Sequence, residues 1–219
     1  MALFRSIIYG ENETRILLIR ADSGFGKTKL IDKFWRFCQE NEAVTPIKID
    51  FKYLLTDPLN FFDEVLDILG EENFPRYNLE ISKLESPQGI EISGNQTVGR
   101  LDIQAIQMSL GQERSTRERR LKPCHTAFFD DLRHLGKRLK HRLVFLLDTF
   151  EKAENFSAWV EKNLLKEIKN TESWCAVIAG QNVPSDDHIV WGKCADLIEL
   201  GAIDDENDWL EFSIQAGYN

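Results

Sequence analysis

The stretch RILLIRADSGFGKTK, residues 15–29, decides how the rest of the chain is read. A short apolar run (Ile16, Leu17, Leu18, Ile19) leads into Ala21, Asp22, Ser23, Gly24, Phe25, Gly26, Lys27 and Thr28, and an amphipathic segment begins at once. The spacing is that of the phosphate-binding loop, G-x-x-x-x-G-K-[ST], with Ala21 in place of the first glycine. In such a loop a buried strand ends and the chain wraps its N–H groups around a phosphate. Gly24 and Gly26 permit that approach because neither carries a Cβ. The helix that follows directs its positive dipole end at the same anion. Lys27 is expected to reach the β- and γ-phosphates, and the Thr28 hydroxyl to hold Mg²⁺. Ala21 asks only that its position avoid a positive φ.

The 219 residues suffice for one α/β domain with a full core, with residues 74–122 as an insertion or linker. A net charge of −9 argues against a general nucleic-acid or anionic-membrane binder. No apolar run approaches the roughly 20 residues that span a bilayer, and the first residues, MALFRSIIYGENETR, lack a secretory pattern. Cys38, Cys124, Cys175 and Cys194 form no C-x-x-C pair. They are expected to be reduced thiols in a cytoplasmic protein. His125, His134, His141 and His188 show no metal-ligand spacing either.

Helical stripes are expected over residues 27–40, from Pro58 to about Asn73, from His125 onward, and around Trp159, Val160, Leu164, Leu165 and Ile168. Residues 47–51 alternate as a partly exposed strand, and residues 175–179 and 197–200 read as further strands. Residues 1–14 read as a lead-in. Pro75, Pro87, Gly89, Gly94, Gly99 and Gly111 punctuate residues 74–122, which predicts a β-hairpin or small strand insertion followed by a charged linker over 112–122. Asp204 and Asp205 are placed to cap a final helix. The basic residues from Arg114 to Arg142 lack interleaved aromatics, so a solvated face is preferred to a nucleic-acid groove. An oligomer contact with the acidic remainder of a second chain is a third reading.

A second chemical signature lies at LVFLLDTFE, residues 143–151. Five apolar residues of strand length end at Asp148, where phosphate-loop enzymes carry the acid that holds the water shell of Mg²⁺. Glu151 is the candidate for polarising an attacking water. Gly180, Gln181 and Asn182 close the next strand and put polar groups where the γ-phosphate is expected. Strands alternating with helices predict a parallel sheet with helices on both faces. Residues 21–28, 148–151 and 181 would then meet at its carboxyl edge.

In their order after SGFGKT, the segments LLDTFEKAENFSAWVEKNLL, AVIAGQNVP and LIELGAIDDENDWLEF resemble the prokaryotic STAND-type NTPase domains, relatives of AAA+ and NACHT modules. The resemblance is weak over residues 74–122. It implies a P-loop NTPase three-layer sandwich with a five-stranded, mainly parallel sheet ordered 5-1-4-3-2. It also implies ATP and Mg²⁺ as ligands, a nucleotide-controlled switch in defence or signalling, and a protein partner or fused effector domain. Asp148 to Glu151 match the family's Walker B region. Many relatives carry Arg where this chain has Gln181, which removes a positive charge from the sensor position. The helical and winged-helix lever of the family is expected to be missing, because the chain ends shortly after the last strand. Two other readings stand beside the switch. One is a scaffold whose NTPase site is degenerate; the other is a small-molecule phosphotransferase whose Arg-rich lid would have to come from residues 114–120.

Overall fold

The computed structural model describes residues 1–54, 57–85 and 114–201. Five strands form one sheet: β1 (Ile16–Arg20), β2 (Val44–Asp50), β3 (Arg142–Asp148), β4 (Trp174–Gly180) and β5 (Ala195–Glu199). Their spatial order is β5-β1-β4-β3-β2, and every neighbouring pair is parallel. This is the 5-1-4-3-2 order of the P-loop NTPase fold. β3 and β4 are buried almost throughout, so they read as continuous apolar runs rather than alternating ones.

Helices cover both faces. On one side lie α1 (Ala2–Tyr9) and α2 (Lys27–Gln39), whose Phe4, Ile7, Ile31 and Phe34 pack on Leu17, Ile19, Val144, Leu146 and Val177. On the other lie α3 (Pro58–Leu69), α4 (Pro75–Glu85), α5 (Arg114–Leu139) and α6, a continuous helical segment over residues 157–170. The core on that side is aromatic: Phe62 stacks on Phe128 with ring centroids 4.1 Å apart, and Phe156 stacks on Trp159 at 4.9 Å. Val160–Leu164 within α6 is a π turn, an arrangement that inserts one extra residue into the helical ladder.

Three expectations are corrected. Residues 2–9 are not a lead-in but a helix, closed by Gly10 in the left-handed conformation (φ 70°). Pro75 does not break the chain: it opens α4, whose Arg76 and Tyr77 N–H groups donate to the buried Asp131 carboxylate at 2.8 and 2.9 Å. Proline is well suited to that first helical position. Residues 114–122 are not a linker either, since α5 begins at Arg114 and continues through Pro123. An internal proline removes a helical hydrogen bond and costs about 3 kcal/mol. Leu121 and Cys124, both buried, hold the helix in place on either side of it. The α3 helix ends at Leu69, before a short 3₁₀ turn over Glu71–Asn73. The expected hairpin and the helix capped by Asp204 and Asp205 lie outside the described residues.

Candidate functional site

The loop over residues 21–28 joins β1 to α2 at the carboxyl edge of the sheet. Its first residue is tied to the next strand, Ala21 N–H donating to the Gly180 carbonyl at 3.1 Å. Gly24 and Gly26 have φ of 89° and 81°, and a Cβ built on either would meet nothing within 4 Å. What demands glycine here is therefore the left-handed backbone, while the space above stays open. Gly26 caps α2 without any side-chain hydrogen bond, so the first-turn N–H groups keep their free donors and positive potential. Lys27 is buried, 9% exposed, and folds back across the loop. Its ammonium donates to the carbonyls of Ala21 at 2.7 Å and Asp22 at 2.8 Å. Asp22, Ser23, Phe25 and Thr28 are exposed along the same loop.

Asp148 closes β3 and is 1% exposed. Its Oδ1 accepts the Thr149 N–H at 2.8 Å, whereas its Oδ2 is buried without a donor. Burial raises the Asp148 carboxyl above its ordinary range. The Thr28 hydroxyl and the Thr149 N–H oppose that shift, Asp50 adds to it, and Lys48 opposes it. Thr28 is thus close enough to act on the carboxylate, yet it does not meet the geometry of a hydrogen bond to Oδ2. An orphan buried carboxylate oxygen is costly unless a cation or donor answers it. Oxygen ligands of this kind, a carboxylate and a hydroxyl facing an open edge, suit a hard divalent cation.

Thr149 itself takes φ 56° and ψ 41°. A β-branched residue rarely adopts that conformation, which costs on the order of 1–3 kcal/mol. It turns the chain so that Thr149 N–H meets Asp148 and the following 3₁₀ turn, Phe150–Lys152, lies against β4. Glu151 then reaches the tip of β4, where its Oε2 accepts the Gln181 backbone N–H at 2.9 Å. Gly180 is tightly enclosed at this contact: a Cβ there would lie 3.0 Å from Glu151 Oε2 and 3.0 Å from the Asn182 carbonyl. The Gln181 side chain is exposed.

The fold therefore brings residues 21–28, Asp148, Glu151 and Gln181 to one edge. Phe4, Ile7 and Tyr9 are not there. Phe4 and Ile7 are buried, with Phe4 stacked on Phe34 at 4.0 Å, and Tyr9 lies by Asn41 and Val44 at the amino edge of the sheet. Asp50, at the tip of β2 in register with Asp148, was not singled out from sequence. Its signal is the one that marks Asp148, an acid ending a strand, but the alternation of residues 47–50 is less conspicuous than five consecutive apolar residues.

No protein-family model matches the chain, and no curated protein matches it. Solved structures do resemble it. One of them is Cdc6p from Pyrobaculum aerophilum, 14% identical with a TM-score of 0.47, the match covering 90% of this chain and 43% of that one. The chain thus spans less than half the length of that protein. At this identity and score the likeness bears on neither activity nor partner. Among the described residues no helix is long and apolar enough to cross a membrane.

Proposed function

We propose that the chain is a nucleotide-binding switch module of the STAND type that takes ATP with Mg²⁺. The observation that carries this reading is the convergence of a two-glycine loop, its buried lysine and the orphaned carboxylate oxygen of Asp148 at one strand edge. Ala21 to Thr28 would cradle the phosphates through backbone N–H groups, with Lys27 turning from its carbonyl partners to the anion. Thr28 and Asp148 would hold the metal, which supplies charge neutralisation at the phosphates when bound. ATP rather than GTP, the role in defence or signalling, and a fused effector or protein partner rest on the sequence resemblance. A cytoplasmic site of action rests on four free, buried thiols.

The test is thermal unfolding of wild type and Lys27→Ala with ATP, ADP and GTP, each with and without Mg²⁺. A ligand that binds the folded state at 100 times its Kd adds about 2.7 kcal/mol of stability. The expected result is a Mg-ATP shift that vanishes in the variant. Equal shifts in both proteins, or none with any nucleotide, would refute the assignment.

Hydrolysis is a separate matter, and one contact favours slow turnover or none. Glu151 lies three residues beyond Asp148 and one of its oxygens is already held by Gln181 N–H. A general base must come within hydrogen-bond reach of the attacking water. A single-turnover assay at enzyme excess separates a slow NTPase from a scaffold that only holds nucleotide, because the scaffold releases no phosphate.

A further inference from the structure

Asp50 and Asp148 end neighbouring strands and are register partners, with the Phe51 N–H donating to the Asp148 carbonyl at 3.1 Å. Alternation puts both carboxylates on the α2 side of the sheet. Ile47 and Ile49 of β2 and Leu147 of β3 belong to the opposite core, whereas Lys48 meets Asp32 of α2 and lies over the Trp35 ring. Thr28, one turn before Asp32, sits over the same tips, close enough to act on Asp148. Asp50 uses Oδ1 to accept the Lys52 N–H at 2.9 Å, and among the described residues it is in no ion pair. Asp148 Oδ2, nine-tenths buried and more, has no donor. Lys48, the nearby cation, is committed to Asp32. Two carboxylates on adjacent strand tips repel each other, Lys48 acts on Asp148 only from a distance, and among the described residues neither carboxylate is in an ion pair.

We propose that Asp50, Asp148 and the Thr28 hydroxyl form a divalent-cation site that takes up Mg²⁺ or Mn²⁺ without nucleotide. The inference rests on the reading above in sharing Asp148 and Thr28, but it assigns a new residue and a different order of loading. A phosphate-loop site with one carboxylate acquires its metal together with the nucleotide phosphates. A second carboxylate adds the charge that lets a hard cation stay on protein oxygens and water alone. Among the described residues no group of three or more His, Cys, Asp or Glu side chains is placed to hold a metal. The site is accordingly two carboxylates and a hydroxyl, which suits an ion that keeps several waters.

The experiment is titration of the nucleotide-free chain with Mn²⁺, reading free Mn²⁺ by its paramagnetic resonance signal. Asp50→Asn is the informative variant, since the amide oxygen can still accept the Lys52 N–H and only the charge is lost. Wild type is expected to bind Mn²⁺ saturably, Asp50→Asn at least tenfold more weakly, and Mg²⁺ to compete. Should Asp50→Asn fail to fold by its melting curve, Asp50→Ser repeats the test, because its hydroxyl can also accept that N–H. Wild type that ignores Mn²⁺ without nucleotide, or an Asp50→Asn protein that binds it as wild type does, overturns the proposal. Mn²⁺ binding that Asp50→Asn weakens, in a protein that no nucleotide stabilises, supports the cation site and removes the nucleotide reading. A nucleotide shift in a protein that does not bind Mn²⁺ alone does the reverse.

Discussion

Lowering the pH from 7 to 5 should weaken this fold through His125. The ring, carried by α5, lies among aromatic side chains of α3 and α6, 5.3 Å from Phe62 and 5.6 Å from Trp159, centroid to centroid. Its Nδ1 accepts from the Trp159 indole N–H at 3.4 Å, and its Nε2 is buried without a partner. Protonation would set an imidazolium N–H against the indole N–H and place a charge among phenyl rings. Burial accordingly pushes the His125 pKa down from 6.5 to about 4. Below pH 6.5 the unfolded chain binds a proton that the folded chain refuses, so stability is whole above 6.5 and falls progressively toward 4. The full loss amounts to about 3 kcal/mol, of which about 2 kcal/mol is gone at pH 5. Urea unfolding of wild type and His125→Gln across pH 5–7.5 measures it, since glutamine can accept the indole N–H but does not titrate. The difference in stability between the two proteins should change by about 2 kcal/mol over that range. Parallel curves would refute the reasoning.

Two further substitutions probe the helix cap at α4 and the close contact at the tip of β4. Asp131→Ala leaves the Arg76 and Tyr77 N–H groups at the start of α4 without their acceptor. Urea unfolding should show a loss of about 2–3 kcal/mol, and a loss under 0.5 kcal/mol would mean that water replaces the cap. Gly180→Ala puts a methyl group 3.0 Å from Glu151 Oε2. It should cost about 1–2 kcal/mol in stability and change single-turnover hydrolysis more than ATP affinity, and wild-type behaviour in both assays would show that Glu151 yields freely.

The parts legible in the sequence are those where one physical requirement dominates. A strand buried on both faces must be apolar throughout, which is why residues 16–19, 143–147 and 175–179 stand out. A left-handed turn before a helix asks for glycine, and Gly24 and Gly26 supply it. The segments misread are those where a local breaker is overruled by tertiary contacts. Pro75 marks a helix start because Asp131, 55 residues beyond Arg76, accepts the Arg76 N–H. Pro123 sits inside α5 because Leu121 and Cys124 are locked into the core. A window around Pro75 does not reach Asp131, and the core that Leu121 and Cys124 enter is assembled from segments far apart in the chain. Asp50 escaped for a related reason, since its nearness to Asp148 is a matter of strand register.

The hold on Glu151 comes from the main chain of residue 181, not from its side chain. Every amino acid except proline presents the same N–H at that point, so the identity of the side chain is uncoupled from the placement of the acid. An arginine in place of Gln181 would alter the charge offered at the strand tip and leave the geometry of Glu151 as it is. Two properties that share one residue can thus drift apart: the electrostatics of the tip can be rewritten by a single substitution, while the position of the carboxylate is inherited with the strand.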